Sequence, residues 1–247
     1  MKFCIGVLGI SLFGQTLPLE KERALGAAMA AEHRRQTKPL DIPDVSAFVE
    51  RVGGRLGAAV PGGEFRFEVV VAERTEPVGL PGGYVLVPAS FLLAVEDEAE
   101  FAGMVAHAMG HASLRHGFVN LREGKEGTIP VFLTGGWMGA HADPGSVFPI
   151  GFLEAIRIRE LEADRFGADL AGRAGYDPTA LARYIRRVQP EQSTTLSPLP
   201  MKATRLAALA NTAGHAGEVG GSEFLRVREL VRTALRGSGR KAPSLLR

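Results

Sequence analysis

His107 and His111 stand four residues apart in the stretch His107-Ala108-Met109-Gly110-His111. On a helix, residues at that spacing lie one above the other, so both imidazoles can offer a nitrogen to one metal ion. The spacing is that of HExxH, in which two helical histidines hold zinc and the glutamate between them is a general base. Here Ala108 occupies the glutamate position. Glu160 and Asp164 repeat the spacing of four further along. Two carboxylates so placed can divide the work, Glu160 binding the metal and Asp164 accepting a hydrogen bond from the far nitrogen of a ligating histidine. Each pair alone also fits a plainer reading, a hydrogen-bonded buried histidine pair and a solvated acidic stripe beside Arg157 and Arg165.

The elements that must position these groups are legible in the pattern. Asp97 and Glu100 have capping-box spacing, which predicts a helix starting near Asp97, running to His116 and closed by Gly117. Phe101, Met104, Val105, Met109 and Ala112 give that helix apolar surface around much of its circumference, so the histidines are expected to be buried. Glu160 and Asp164 fall on a second helix and share its face with Ile156 and Gly167. Ahead of the histidine helix, Phe65, Phe67 and Val69 alternate as in a half-buried strand, which Val70 and Val71 carry into the core. Leu80-Pro81-Gly82-Gly83 then introduces a strand Gly83-Tyr84-Val85-Leu86-Val87. That strand is read either as part of a glycine-turn hairpin or as a sheet edge, with Gly83, Tyr84 and Val85 pairing with an extended peptide by strand addition.

The flanks read as helices. Glu20 to Arg35 is helix-forming and ends before Pro39, and Pro43 opens a helix with Val45, Phe48, Val49, Val52 and Leu56 on one face. Gly175-Tyr176-Asp177-Pro178 separates the carboxylate helix from one with Leu181, Tyr184, Ile185 and Val188 inward and Arg183, Arg186 and Arg187 on a solvated face. Pro200 to Ala210 and Phe224 to Leu235 close the chain before a basic tail. Between Asn120 and Gly151 lies a glycine-rich segment with Trp137 and His141. Its residues 134–151 are a candidate lid over a cleft, and His141 is read as a loop histidine.

Length and composition set outer bounds. A chain of 247 residues with 45% hydrophobic and 23% charged residues suits one soluble globular domain. A formal charge of +2 argues against nucleic acid as an obligatory partner, and the single cysteine, Cys4, leaves any metal to histidine and carboxylate. Lys2 followed by the apolar run Phe3 to Phe13 predicts a signal peptide over residues 1–16, a single domain over 17–247, and a periplasmic or secreted protein. No later stretch reaches the roughly 18 consecutive apolar residues of a membrane span, which leaves association with the membrane periphery open.

From about Glu20 to Leu209 the order of features resembles metallopeptidase family 48, the zincins that include HtpX-like and CAAX prenyl protease-like enzymes. The matching pieces are Leu80-Pro81-Gly82-Gly83 with its strand, the His107 helix ending in Arg115-His116-Gly117, Arg157 with Glu160, Glu162, Ala163 and Asp164, Ala174-Gly175-Tyr176-Asp177-Pro178, and Pro200 five residues before Arg205. The resemblance implies an α+β fold, mostly helical, with a small β-sheet beside the histidine helix. It implies one zinc ion on His107, His111 and Glu160, a polypeptide substrate, and a role in envelope protein quality control. In that family the motif glutamate takes the proton of the attacking water and passes it to the leaving amine.

Three departures from the family pattern stand out: Ala108 replaces the general base, Glu76-Pro77 stands where Asn-Ala is usual, and Leu199 replaces a histidine before Pro200. Glu100 lies two turns from His107 and Glu162 points away from the metal face, so neither is placed to substitute for the base. His141 is not excluded by geometry. Three functions follow: a zinc endopeptidase with impaired hydrolysis, a non-catalytic zinc protein that binds extended or unfolded polypeptides as chaperone or adaptor, and a scaffold in which the metal is structural.

Overall fold

The computed structural model describes residues 18–72, 76–116, 119–120, 130–131, 150–191, 197–212 and 221–237. The predicted signal peptide lies outside them, as do His141, Gly117 and most of the candidate lid.

Helix α1 (Leu19–Gln36) leads through β1 (Lys38–Pro39) to α2 (Pro43–Ala58), which starts on a proline at its first position. Next come β2 (Arg66–Val71), β3 (Val78–Leu80), a 3-10 turn at Pro81–Gly83 and β4 (Tyr84–Pro88). A single turn α3 (Phe91–Ala94) precedes α4 (Glu98–Ser113), the histidine helix. Two short strands, β5 (Val119–Asn120) and β6 (Pro130–Val131), pair with one another. Then follow α5 (Ile150–Arg173), which carries the carboxylates, α6 (Ala180–Val188), α7 (Lys202–Leu209) and α8 (Ser222–Gly237). The fold is α+β and mostly helical, with its four-stranded sheet beside the histidine helix.

Helix α4 is the axis of the molecule: every residue from Glu98 to Ala112 is buried. Its first half is anchored by Phe101, whose ring lies 5.2 Å from that of Phe48 on α2 and 5.6 Å from that of Phe91 on α3. Each such buried ring contributes about 1.5–3 kcal/mol. Asp97 caps the helix by accepting from the Glu100 backbone N–H at 2.7 Å. Glu100 does not complete the reciprocal box: its carboxylate accepts from the Glu96 N–H and pairs with Arg187. Arg183 likewise pairs with Asp97 and Asp177, so two of the three arginines expected on a solvated face of α6 bind the start of α4 instead.

The sheet order is β1-β2-β4-β3. Strand β4 is parallel to β2 and antiparallel to β3, so both of its edges are filled. Gly83 belongs to the 3-10 turn, and Tyr84 and Val85 are interior strand residues, which removes this strand as a peptide-pairing edge. The hairpin reading holds, and the terminal strand on that side is β3. Strand β3 lies directly on α4: a Cβ on Gly79 would stand 1.9 Å from the Ala108 carbonyl oxygen, a contact only glycine permits.

Candidate metal centre

Helices α4 and α5 approach closely because their contact is made of small residues. A Cβ on Gly167 would fall 2.7 Å from the His107 nitrogen, and one on Gly110 would fall 3.3 Å from Cα of Ala163. This crossing turns the Glu160 and Asp164 face of α5 onto the His107 and His111 face of α4. All four side chains are buried, Glu160 and the histidines at 4–5% exposure and Asp164 at 0%. Burial on this scale rules out the solvated acidic stripe.

His107 Nε2 and His111 Nε2 are 3.1 Å apart. Glu160 closes the triangle, Oε2 lying 3.5 Å from His107 Nε2 and Oε1 3.4 Å from His111 Nε2. Metal–ligand bonds of about 2.0–2.1 Å in a tetrahedron require ligand atoms about 3.3–3.4 Å apart. The three side chains have that spacing, and they form a group able to hold a metal ion.

The surrounding charges fit a cation. Burial alone would push the His107 imidazole down, but hydrogen bonds to Asp164 and Glu160 outweigh it and raise its pKa to about 9. Burial would raise Glu160, yet the charge of His111 and the hydrogen bond of His107 hold its carboxyl well below the usual range. In the metal-free protein a proton therefore sits among these groups, where a divalent ion would replace it.

His107 Nδ1 lies 2.9 Å from Asp164 Oδ1. Asp164 in turn accepts two hydrogen bonds from Arg205, and its carboxyl is held low because Arg205 outweighs the burial that would raise it. Arg205 also donates to Gln189, whose amide donates to the Pro200 carbonyl at 2.7 Å. Residue Leu199, in the histidine position of the resembling family, adjoins that corner. Sequence spacing gave Arg205 and Gln189 no role. The one signal for Arg205 is its place five residues after Pro200, and Gln189 carries none.

The other face of His111 is occupied by His116, which sequence spacing marked only as the end of a motif. Its Nδ1 is 3.2 Å from His111 Nδ1 and its Nε2 is 3.1 Å from Glu162 Oε2. Glu162 points away from the metal ligands, as its place on the helix requires. Burial, with the nearby charges of His111 and Arg159, pushes the His116 imidazole down to about 3. Just beyond α4, Arg115 takes a left-handed backbone position, with φ 57°; Gly117, expected to close the helix, lies outside the described residues.

Ala108 is 1% exposed. Glu100 is bound by Arg187 at the far end of the helix, Glu162 faces His116, and Glu76 accepts from the Tyr184 hydroxyl at 3.2 Å. None of these carboxylates belongs to the group around His107, His111 and Glu160.

The Peptidase family M48 model matches residues 43–213. A relative from Vibrio cholerae, whose name also refers to beta-barrel assembly-enhancing protease, is 27% identical over 77% of this chain and 42% of its own length. The beta-barrel assembly-enhancing proteases of Yersinia pestis and Escherichia coli K12 are 23% and 22% identical, over 77% and 81% of this chain and 42% and 45% of theirs. The chain thus spans less than half the length of the curated relatives it matches. With more than half of its residues under the family model, and with paired histidines facing a buried glutamate, the chain belongs to peptidase family M48.

Proposed function

We propose that this chain is a zinc metalloendopeptidase domain acting on polypeptides in the cell envelope, periplasmic or secreted, whose hydrolysis is slowed because Ala108 occupies the general-base position. The observation that carries the reading is the triangle of His107 Nε2, His111 Nε2 and the two Glu160 oxygens, with spacings of 3.1, 3.5 and 3.4 Å. His107, His111 and Glu160 would hold one zinc ion, and Asp164 would orient His107. The names of the relatives, which refer to beta-barrel assembly, support work on envelope proteins, and the predicted signal at residues 1–16 supports the location. Association with the membrane periphery fits the same setting; among the described residues no helix is long and apolar enough to cross a membrane.

When bound, zinc would supply Lewis-acid polarisation of the scissile carbonyl and of water. The rest falls to the protein. Glu160 supplies negative charge, Asp164 with Arg205 fixes the His107 ring, and the terminal strand β3, lying on Ala108 through Gly79, is the sheet strand beside the site against which an extended substrate would align. Hydrolysis also needs an acceptor for the water proton and a donor for the leaving amine, and the Ala108 methyl is neither. A positioned base contributes about 10²- to 10⁴-fold, or roughly 3–5 kcal/mol of barrier.

Ala108 also favours a second reading, in which the protein binds extended or unfolded polypeptide beside the metal centre without cutting it, as chaperone or adaptor. Casein hydrolysis by the zinc-loaded parent and by Ala108→Glu separates the two. A gain of at least about a hundredfold supports a peptidase lacking only its base. Equal turnover by both proteins refutes the argument from the missing base, and no turnover by either, with polypeptide still bound, favours the binder.

A further inference from the structure

The metal ligand His107 has an outer partner of the expected kind, the carboxylate of Asp164. Among the described residues, no carboxylate meets the far nitrogen of His111. What it has is His116, and the protein holds His116 from several sides. Its backbone N–H donates to the His111 carbonyl at 2.9 Å, closing the last turn of α4. Its carbonyl accepts from Arg159 at 2.8 Å, and its Nε2 meets Glu162 at 3.1 Å, both partners coming from α5. The preceding residue, Arg115, adopts a left-handed backbone that non-glycine residues rarely take. Its guanidinium is paired with Glu22 of α1, a carboxylate only 2% exposed.

Hydrogen-bond chemistry then fixes the protons. A carboxylate is an acceptor only, so the single N–H of a neutral His116 lies on Nε2, pointing at Glu162. His116 Nδ1 is left with a lone pair facing His111 Nδ1, so the proton of that contact belongs to His111. With Nδ1 protonated, His111 Nε2 carries its lone pair toward His107 and Glu160.

We propose that His116 is the positioning residue for His111, setting its ring orientation and tautomer through a relay from His111 Nδ1 to His116 Nδ1 and from His116 Nε2 to Glu162, with Arg115 and Glu22 holding His116 in register. Glu22 lies before residue 43, where the family match begins, so the relay ties α1 to the metal centre. The inference rests on the proposed metal site, and outer partners of ligating histidines typically govern metal affinity by about 10- to 100-fold.

Chelator competition for zinc and the absorption spectrum of the cobalt-substituted protein test it, using the whole chain. His116→Leu is expected to weaken zinc binding at least about tenfold and to alter the cobalt spectrum. His116→Asn, whose side-chain oxygen can accept from His111 Nδ1, is expected to restore most of the affinity. Glu162→Leu, a half-exposed site whose loss leaves the fold intact, is expected to weaken binding several-fold with an unchanged melting temperature of the metal-free protein. Parent-level affinity and spectrum in His116→Leu, or in Glu162→Leu should His116→Leu fail to fold, would overturn the relay. Equal losses in His116→Asn and His116→Leu would overturn it as well. A parent that binds no zinc at all would instead overturn the metal site on which it rests.

Discussion

Arg205 grips Asp164 with two parallel hydrogen bonds, Nε to Oδ2 at 2.7 Å and Nη2 to Oδ1 at 2.6 Å. Both side chains are buried, so the arginine offsets much of the cost of holding the Asp164 carboxylate ionised away from water. Arg205→Leu leaves Asp164 charged, buried and short of its partner. It is expected to destabilise the protein by about 3–5 kcal/mol in urea unfolding. Arg205→Lys is expected to recover only part of that, because an ammonium cannot form the fork. Parent-like stability of Arg205→Leu would mean that the pair does not support the site.

Gly167 sets how close the carboxylate helix comes to the histidine helix. In Gly167→Ala the new methyl would stand 2.7 Å from the nitrogen and 2.9 Å from Cα of His107, backbone atoms that cannot swing aside. Helix propensity favours alanine by about 0.8–1 kcal/mol, but overpacking costs about 1–3 kcal/mol. The substitution is therefore expected to be net destabilising and to lower zinc affinity by separating Glu160 from the histidines. A higher melting temperature with unchanged zinc affinity would contradict the close crossing.

The metal-free protein is expected to lose stability as pH rises from 6.5 to 9. His107 has its pKa raised from 6.5 to about 9, because Asp164 and Glu160 more than offset its burial. The folded state thus holds this proton more tightly than the unfolded one. The stabilisation is complete below pH 6.5 and disappears as pH passes about 9. His116, pushed down to about 3, is neutral in both states above pH 6.5 and adds nothing in this window. Melting temperatures of chelator-treated protein across the window check the trend. Zinc takes the place of the proton, so its apparent affinity is expected to climb with pH over the same range and level off above about 9. A melting temperature independent of pH would contradict the buried proton.

Much of the centre was legible in the chain because helical periodicity is local. Spacings of four put His107 over His111 and Glu160 over Asp164, and the capping aspartate Asp97 and the proline start of α2 fall where side-chain chemistry alone places them. What local pattern does not carry is tertiary pairing. Arg205 reaches Asp164 across 41 residues and Arg187 reaches Glu100 across 87, so a charged face that looks solvated in sequence is engaged in the fold. Sheet order is hidden for the same reason. The run Tyr84 to Pro88 looks equally well like an edge or an interior strand, and only its parallel pairing with β2 decides. His116 escaped because its place depends on a left-handed Arg115 held by Glu22, 93 positions earlier in the chain, a contact that spacing does not announce.

The zinc content of the purified, folded chain is the measurement on which the whole reading turns. One ion per chain is expected in the parent and in Ala108→Glu, and it is expected to be lost in His111→Ala and sharply weakened in Glu160→Gln, with the fold intact by circular dichroism. A parent that takes up no zinc, or a His111→Ala protein that retains the full complement, would contradict the metal centre formed by His107, His111 and Glu160.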